Sequence, residues 1–292
     1  MQLVESRIAK LDEVQSFWIV AGLAATAYCL QRRYDPRVVT LAGLCFGVAT
    51  ACKWNGLFAG AGAWLCFCVM SRRDEESPSR LRPLQVAGIF AVTIASVYVL
   101  SYLPLAIREG AFGRAQIQEI VGYHLRMWRF RNDPAQFHHR YQCSFLSWPL
   151  VKRPVWFFYE QHEATVRGIV ALGSPPFWWI AFLLLLESTF FSWRRSDRAG
   201  QFLAVTYMLM WLPWASSSGG GFIYYMLPAT PLMAVIVARE LADWWQEKLS
   251  RRLAIGYCAL LVLFFCLFFP LLTALPVSRA YFDCLFFYHG WI

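Results

Sequence analysis

Charge is what this sequence has least of. Only 15% of its 292 residues are charged and 58% are hydrophobic, whereas a soluble domain carries about 25% charged residues. A water-soluble globular protein is therefore excluded. Acids are scarcer than bases, 18 against 27, but the basic residues form no single patch, which argues against a nucleic-acid partner. They fall in short clusters between apolar runs, as the positive-inside rule expects of a membrane protein. A cleavable leader is not expected either, because MQLVESRIAKLDEVQ is mixed in polarity and no small-residue cleavage site follows the first apolar run. The 5 histidines lack paired ligand spacing on one regular element, so neither a metal nor a cofactor is expected. The run Gly219-Gly220-Gly221 follows no strand and reads as a turn, not a phosphate loop. Of 9 cysteines, Cys29, Cys45, Cys52, Cys66, Cys68, Cys258 and Cys266 lie in apolar runs as small hydrophobes. Cys143 and Cys284 lie in polar segments and are expected to be two free thiols, a bridge between them being the alternative.

What is present is long apolar runs. A spanning helix needs roughly 20 mostly apolar residues, and eight candidates appear, at about 14–30, 38–53, 56–70, 85–107, 175–193, 202–215, 222–238 and 253–275. The expected fold is all-α and polytopic. It divides into an amino-terminal membrane bundle (1–107), a long outer loop (108–174) and a carboxyl-terminal four-helix membrane region with an outer tail (175–292). The loops QRRYDPR, SRRDEESPSRLR, RRSDR and RELADWWQEKLSRR hold 14 of the 27 basic residues and alternate correctly to share one face. That face is assigned to the cytoplasm. The Lys53 turn, the long interval and both ends then face outward. Within the interval, Ile117, Ile120, Val121, Leu125 and Trp128 recur at helical spacing and predict a helix lying in the interface.

The stretch FHHRYQCSFLSWPLVKRPVWFFYE, 137–160, is the polar island of the chain, and Pro149 and Pro154 argue against one uninterrupted helix through it. His139 and Tyr141 could hydrogen-bond a polar substrate, and Trp148 and Trp156 could stack on one. The competing reading for the aromatics is an interfacial belt. Lys53, beside Trp54, is placed to snorkel to the outer interface and support a site. Glu5, Asp12 and Glu160 are the outer acids that could act as a base.

Five segments resemble one family, the polyprenyl- or dolichyl-phosphate-mannose-dependent protein O-mannosyltransferases of bacterial type. ESRIAKLDEVQSFWIV is similar to its S-R-x-x-x-L-D stretch, and GVATACKWNGLF to its G-x-A-x-x-x-K-W-x-G-L segment. HRYQCSFLSWPLVKRPVWFFYE resembles H-P-Y-x-S-x-W-W-x-W-P-L-x-x-R-P-V-x-F-Y, LGSPPFWW resembles L-G-N-P-x-x-W-W, and FIYYMLPATPLM resembles F-x-Y-Y-x-L-P-x-x-P. The sequence departs at Arg140, where the family has proline, at Phe145-Leu146, where it has an aromatic pair, and at Gly219–Gly221, where a basic residue is usual.

The resemblance implies a GT-C type glycosyltransferase of the bacterial plasma membrane. It would move mannose from a polyprenyl-phosphate-mannose donor, a substrate and not a cofactor, to Ser or Thr hydroxyls of an acceptor polypeptide at the outer face. Arg7 and Arg153 would bind the donor phosphate, since a guanidinium meets phosphate oxygens bidentately. The alternative for Arg7 is an ordinary ion pair with Glu5 or Asp12. His139, Tyr141, Trp148, Tyr224 and Tyr225 would contact substrate, with Asp12, Lys53 and Trp54 supporting. The family's Asp-Glu pair precedes S-R-x-x-x-L-D and is not in this sequence, so no catalytic base is assigned. Two alternatives stay open: a truncated or split-gene membrane protein acting with a partner chain, and transfer of another polyprenyl-linked sugar.

Overall fold

The computed structural model describes residues 1–31, 35–71, 81–108, 113–133, 139–217, 220–286 and 288–291. The sequence readings on 32–34, 72–80 and His138 lie outside them. Twelve α-helices form among the described residues: α1 (Gln2–Arg7), α2 (Leu11–Gln31), α3 (Pro36–Cys52), α4 (Gly56–Ser71), α5 (Pro83–Leu100), α6 (Leu103–Arg108), α7 (Arg114–Asn132), α8 (Pro175–Phe191), α9 (Arg198–Trp211), α10 (Thr230–Trp244), α11 (Lys248–Leu272) and α12 (Arg279–Leu285). Helices stand at all eight places where spans are expected. Among the described residues four stretches are long and apolar enough to cross a membrane: Leu11–Gln31, Pro83–Arg108, Ile223–Trp244 and Lys248–Leu272. Pro36–Cys52, Gly56–Met70 and Pro175–Phe191 are apolar but shorter. Helix α9, with 14 residues, reaches only about 21 Å, less than the ~30 Å hydrocarbon layer. Eight full spans are therefore not what helix length by itself supports. On α11, Leu253, Leu260, Val262, Leu263 and Phe265 are all exposed, a surface that only lipid or another apolar partner can cover.

The chain forms two compact units, one of Met1–Glu13, Tyr141–Tyr207 and Gly221–Ile292, the other of Val14–Arg140 and Met208–Gly220. Both the start of the chain and the outer segment from Tyr141 fall in the unit that holds most of the carboxyl-terminal helices.

In the second unit α3 lies against α5, and Gly47 allows the approach: a Cβ there would stand 2.8 Å from Val97 Cβ. The interfacial helix exists as α7, with Ile117, Val121, Leu125 and Trp128 all about half exposed or more. One histidine ties α7 to α5. His124 Nδ1 lies 2.6 Å from the Ile120 carbonyl and must donate to it, and Nε2 shares a hydrogen bond with the Tyr98 hydroxyl at 2.6 Å. Trp54 stacks on the His124 ring at 5.4 Å and donates from Nε1 to Tyr98 at 2.8 Å. Gln15 ties α2 to the Lys53 turn, donating to the Lys53 carbonyl at 2.8 Å.

The first unit holds what helical periodicity could not announce, a three-stranded antiparallel sheet of order β1-β2-β3. Its strands are β1 (Val155–His162), β2 (Thr165–Ala171) and β3 (Val277–Ser278). VWFFYEQH and TVRGIVA are rich in β-branched and aromatic residues, and a two-residue turn, with Glu163 at φ 42°, joins them. The register slips between Trp156 and Phe158, making Phe157 a bulge. The chain remains mostly helical around this sheet.

At the other end of α8, Asp197 caps α9. Gly200 N–H donates to its Oδ1 at 3.0 Å and Arg239 to its Oδ2 at 2.9 Å. Burial pushes the carboxyl pKa up, but those hydrogen bonds outweigh it and hold the value below the usual carboxylate range. A depressed folded pKa contributes stability that is present above the unfolded value and lost as pH falls through the folded one. Asp197→Ala should therefore cost about 1 kcal/mol at neutral pH in detergent thermal unfolding. The gap to the parent should narrow below about pH 4; a gap independent of pH would refute this account.

Candidate functional site

The site is built where α1 reverses into α2. The reversal is tight, with Ala9 at φ 52° and its N–H bonded to the Ser6 carbonyl at 3.1 Å. Two acids are thereby brought to one lysine. Lys10 Nζ lies 3.3 Å from Glu5 Oε2 and 3.8 Å from Asp12 Oδ2. Both acids are closed off from solvent, Glu5 at 0% and Asp12 at 1% exposure. The same ammonium stands 3.3 Å from the centroid of the Tyr224 ring and 4.8 Å from that of Phe157. A cation over an aromatic face that keeps part of its contact with solvent, as the 25%-exposed Lys10 side chain does, contributes about 1 kcal/mol.

Three distant stretches meet here: the α1–α2 turn, the bulge of β1, and a 3-10 turn, Ile223–Ala229, that leads into α10. Each explains itself locally. The bulge turns Phe157 out of the alternation of the strand and toward Lys10. Tyr224 stacks flat on Phe222, with centroids 5.2 Å apart and planes at 5°. Tyr225 is set edge-on to Tyr224 at 5.2 Å and to Trp148 at 5.9 Å. Gly221 and Cys143 exchange two backbone hydrogen bonds, 2.9 and 3.0 Å, which joins the polar island to this aromatic turn. Only glycine fits there, because a Cβ on residue 221 would lie 2.7 Å from Trp148 Cζ2.

Of the residues singled out in the sequence, Arg7, Asp12, Tyr141, Trp148, Arg153, Tyr224 and Tyr225 fall in this unit; Lys53, Trp54 and His139 fall in the other. Arg7 and Arg153 are exposed. The ion-pair reading for Arg7 is corrected, since Lys10 takes both Glu5 and Asp12. Lys10 was not singled out, and its only sequence signal is a charge beside two acids at the mouth of an apolar helix. Trp148, at 1% exposure, backs Tyr225 and offers no open face. Trp156 is likewise buried, packed on Phe282 and Phe286 at 5.9 and 5.0 Å, so neither tryptophan forms an exposed belt. Tyr141, Tyr224 and Tyr225 are half-buried and His139 is exposed.

As bases, Glu5 and Asp12 are enclosed and held by Lys10, and Glu160 pairs with His162 at 2.8 Å on one face of the sheet. Glu5 and Asp12 do not stand open to a bulky hydroxyl, whereas the Glu160 side chain is 39% exposed and engaged by His162. Both Cys143 and Cys284 are free thiols, and burial raises the Cys143 pKa. Among the described residues no group of three or more His, Cys, Asp or Glu side chains could hold a metal ion.

Residues 116–291 match a family model described as the C-terminal four TMM region of protein-O-mannosyltransferase. The chain is 25% identical over 346 residues to the polyprenol-phosphate-mannose–protein mannosyltransferase of Mycobacterium tuberculosis (strain H37Rv), covering 96% of this chain and 66% of that protein. It is also 25% identical over 283 residues to the enzyme of the same name from Mycolicibacterium smegmatis, covering 82% of this chain and 55% of the relative. The chain thus spans about two thirds or less of the length of these relatives. Among solved structures it resembles the S. cerevisiae protein O-mannosyltransferase Pmt1-Pmt2 complex bound to the sugar donor, with TM-score 0.49 and 18% identity over 60% of this chain and 27% of that one.

Proposed function

The chain belongs to the protein O-mannosyltransferase family of membrane glycosyltransferases, and from that premise we propose that it takes part in moving mannose from a polyprenyl-phosphate carrier to Ser or Thr hydroxyls of a polypeptide. The observation that carries this reading is the cluster at Lys10. It joins three of the segments in which the sequence resembles the family, S-R-x-x-x-L-D, the H-P-Y segment and F-x-Y-Y, into one half-buried surface. Donor names borne by the mycobacterial relatives support the choice of carrier.

Inverting transfer from a phosphate-linked sugar needs cations on the departing phosphate and a base on the hydroxyl. Lys10 is engaged by two buried carboxylates, so the phosphate falls to the exposed guanidinium of Arg7, the last residue of α1, and to Arg153. Tyr224 and Tyr225 give the sugar and the lipid head an aromatic wall with hydroxyls. His139 and Tyr141 remain proposed substrate contacts, and loop charge supports an outward-facing site.

The test is mannose transfer from a polyprenyl-phosphate-mannose donor to a Ser/Thr peptide. It uses membranes carrying this chain, alone and together with the amino-terminal region of a mycobacterial relative. Transfer in either arm, abolished by Arg7→Ala, is the expected result. No transfer in both arms, or full transfer by Arg7→Ala, would overturn the reading.

A further inference from the structure

We propose that the acceptor polypeptide binds as a fourth strand along the open edge of β1, an inference that rests on the reading above only in naming the acceptor. Sheet order places β1 at an edge, with β2 on one side. The direction of each backbone group follows from β2. The Ala164 and Gly168 carbonyls accept from Arg279 N–H at 2.8 Å and Ala274 N–H at 3.1 Å, both on the β3 side. Alternation then turns Thr165 and Arg167 toward β1, where they pair with His162 and Glu160. The N–H and C=O of Tyr159 and Gln161 therefore point off the edge, and among the described residues neither has a backbone partner there.

Natural edge strands are usually blunted by lysine or other charge, proline, bulges or extreme shortness. β1 carries only the bulge at Phe157, near its start, and Glu160, which is engaged by His162. It is 8 residues long, about 26 Å of extended chain, and VWFFYEQH contains neither lysine nor proline. Phe158 and Tyr159 are 39% and 44% exposed. Arg279 holds the Tyr159 and Gln161 side chains on the α12 side, donating to Gln161 Oε1 at 2.7 Å and to the Tyr159 hydroxyl at 3.5 Å. Among the described residues no backbone bond is made to the edge itself.

The bulge decides what such a strand would reach. The regular edge runs from His162 back to Phe158 and ends at Phe157, whose ring faces Lys10 and, at 6.2 Å, Tyr224. A strand seated on Gln161 and Tyr159 and continued past Phe157 carries its side chains to the aromatic wall. A hydroxyl on that strand is delivered by main-chain bonds that any extended sequence can make, whereas a proline or N-alkylated residue cannot. This surface fits unstructured Ser/Thr-bearing polypeptide and selects against compact folded partners.

The experiment uses a Ser/Thr peptide series with one backbone amide N-methylated at a time. The chain is assayed in detergent for direct peptide binding, and in the two-arm membrane assay for transfer. Expected is a loss of affinity of about tenfold, roughly one hydrogen bond with its desolvation, at every second position and little at the positions between. Tyr159→Pro, which removes one outward N–H and leaves the pairs at Phe158 and Glu160 intact, should weaken binding similarly; because the Tyr159 ring also packs on Trp156 and Phe282 at 5.6 and 5.8 Å, Tyr159→Ala, which loses the ring but keeps the N–H, is its control and should bind peptide like the parent. Alternating binding without any transfer would keep the strand docking and sink the mannosyl reading. Transfer with no alternation in either assay would do the reverse. Absence of peptide binding, or equal binding across the series, overturns the docking.

Discussion

Replacing Lys10 with Met should destabilise the chain by about 3–5 kcal/mol, the usual effect of removing one partner from a buried ion pair. Glu5 and Asp12 would keep their charges in a place closed to water, and the Tyr224 ring would lose its cation. The deficit depends on charge and not on lost methylenes, and two measurements in detergent thermal unfolding separate the two. Lys10→Arg, which keeps a cation able to lie over an aromatic face, should recover most of the loss. Adding Glu5→Gln to Lys10→Met should also recover part of it, since a neutral cluster avoids the isolated charge. No recovery by Arg or by the second substitution would show that Lys10 contributes only packing.

Trp156→Ala should cost a similar amount, about 3–5 kcal/mol, from cavity formation and lost transfer energy. Trp156 fills the space between β1 and α12, and its Nε1–H donates to the Trp291 carbonyl at 2.7 Å. Trp291 in turn donates to the Val151 carbonyl at 2.8 Å, and Val151 sits at φ 54°. Two indoles thus clasp the polar island to the carboxyl tail. Trp156→Phe keeps most of the ring and removes the donor, leaving a buried carbonyl, and should cost about 1–3 kcal/mol. Limited proteolysis should show the tail beyond α12 cut faster in Trp156→Ala, and to a lesser degree in Trp156→Phe. Unchanged cleavage and stability in both would mean that the clasp is incidental.

Much of the membrane architecture was legible because its signal is local. Eight apolar runs predict helices, and helices occur at each place. The Lys53-Trp54-Asn55 break is a turn between α3 and α4, and α7 has the apolar spacing its sequence shows. Less legible was the sheet. VWFFYEQH reads as the continuation of an aromatic interfacial segment until TVRGIVA is paired to it across Glu163-Ala164. The site was half legible: Tyr224 and Tyr225 stood out through their motif, whereas Lys10 did not. Trp148 and Trp156 looked like stacking faces and proved to be interior supports, a distinction that rests on burial alone.

By itself the sequence determined that the chain is a mostly helical membrane protein of this glycosyltransferase family. Those properties depend on run length, charge spacing and motif order along one strand of text. Only the tertiary structure decided which charges meet. Lys10 and Tyr224 are far apart in the chain, and a single bulged residue at Phe157 sets which face of β1 looks toward them. Burial and register are properties of the packed chain, since each depends on what arrives from elsewhere, and they turned a polar island into one wall of a site with an open strand beside it.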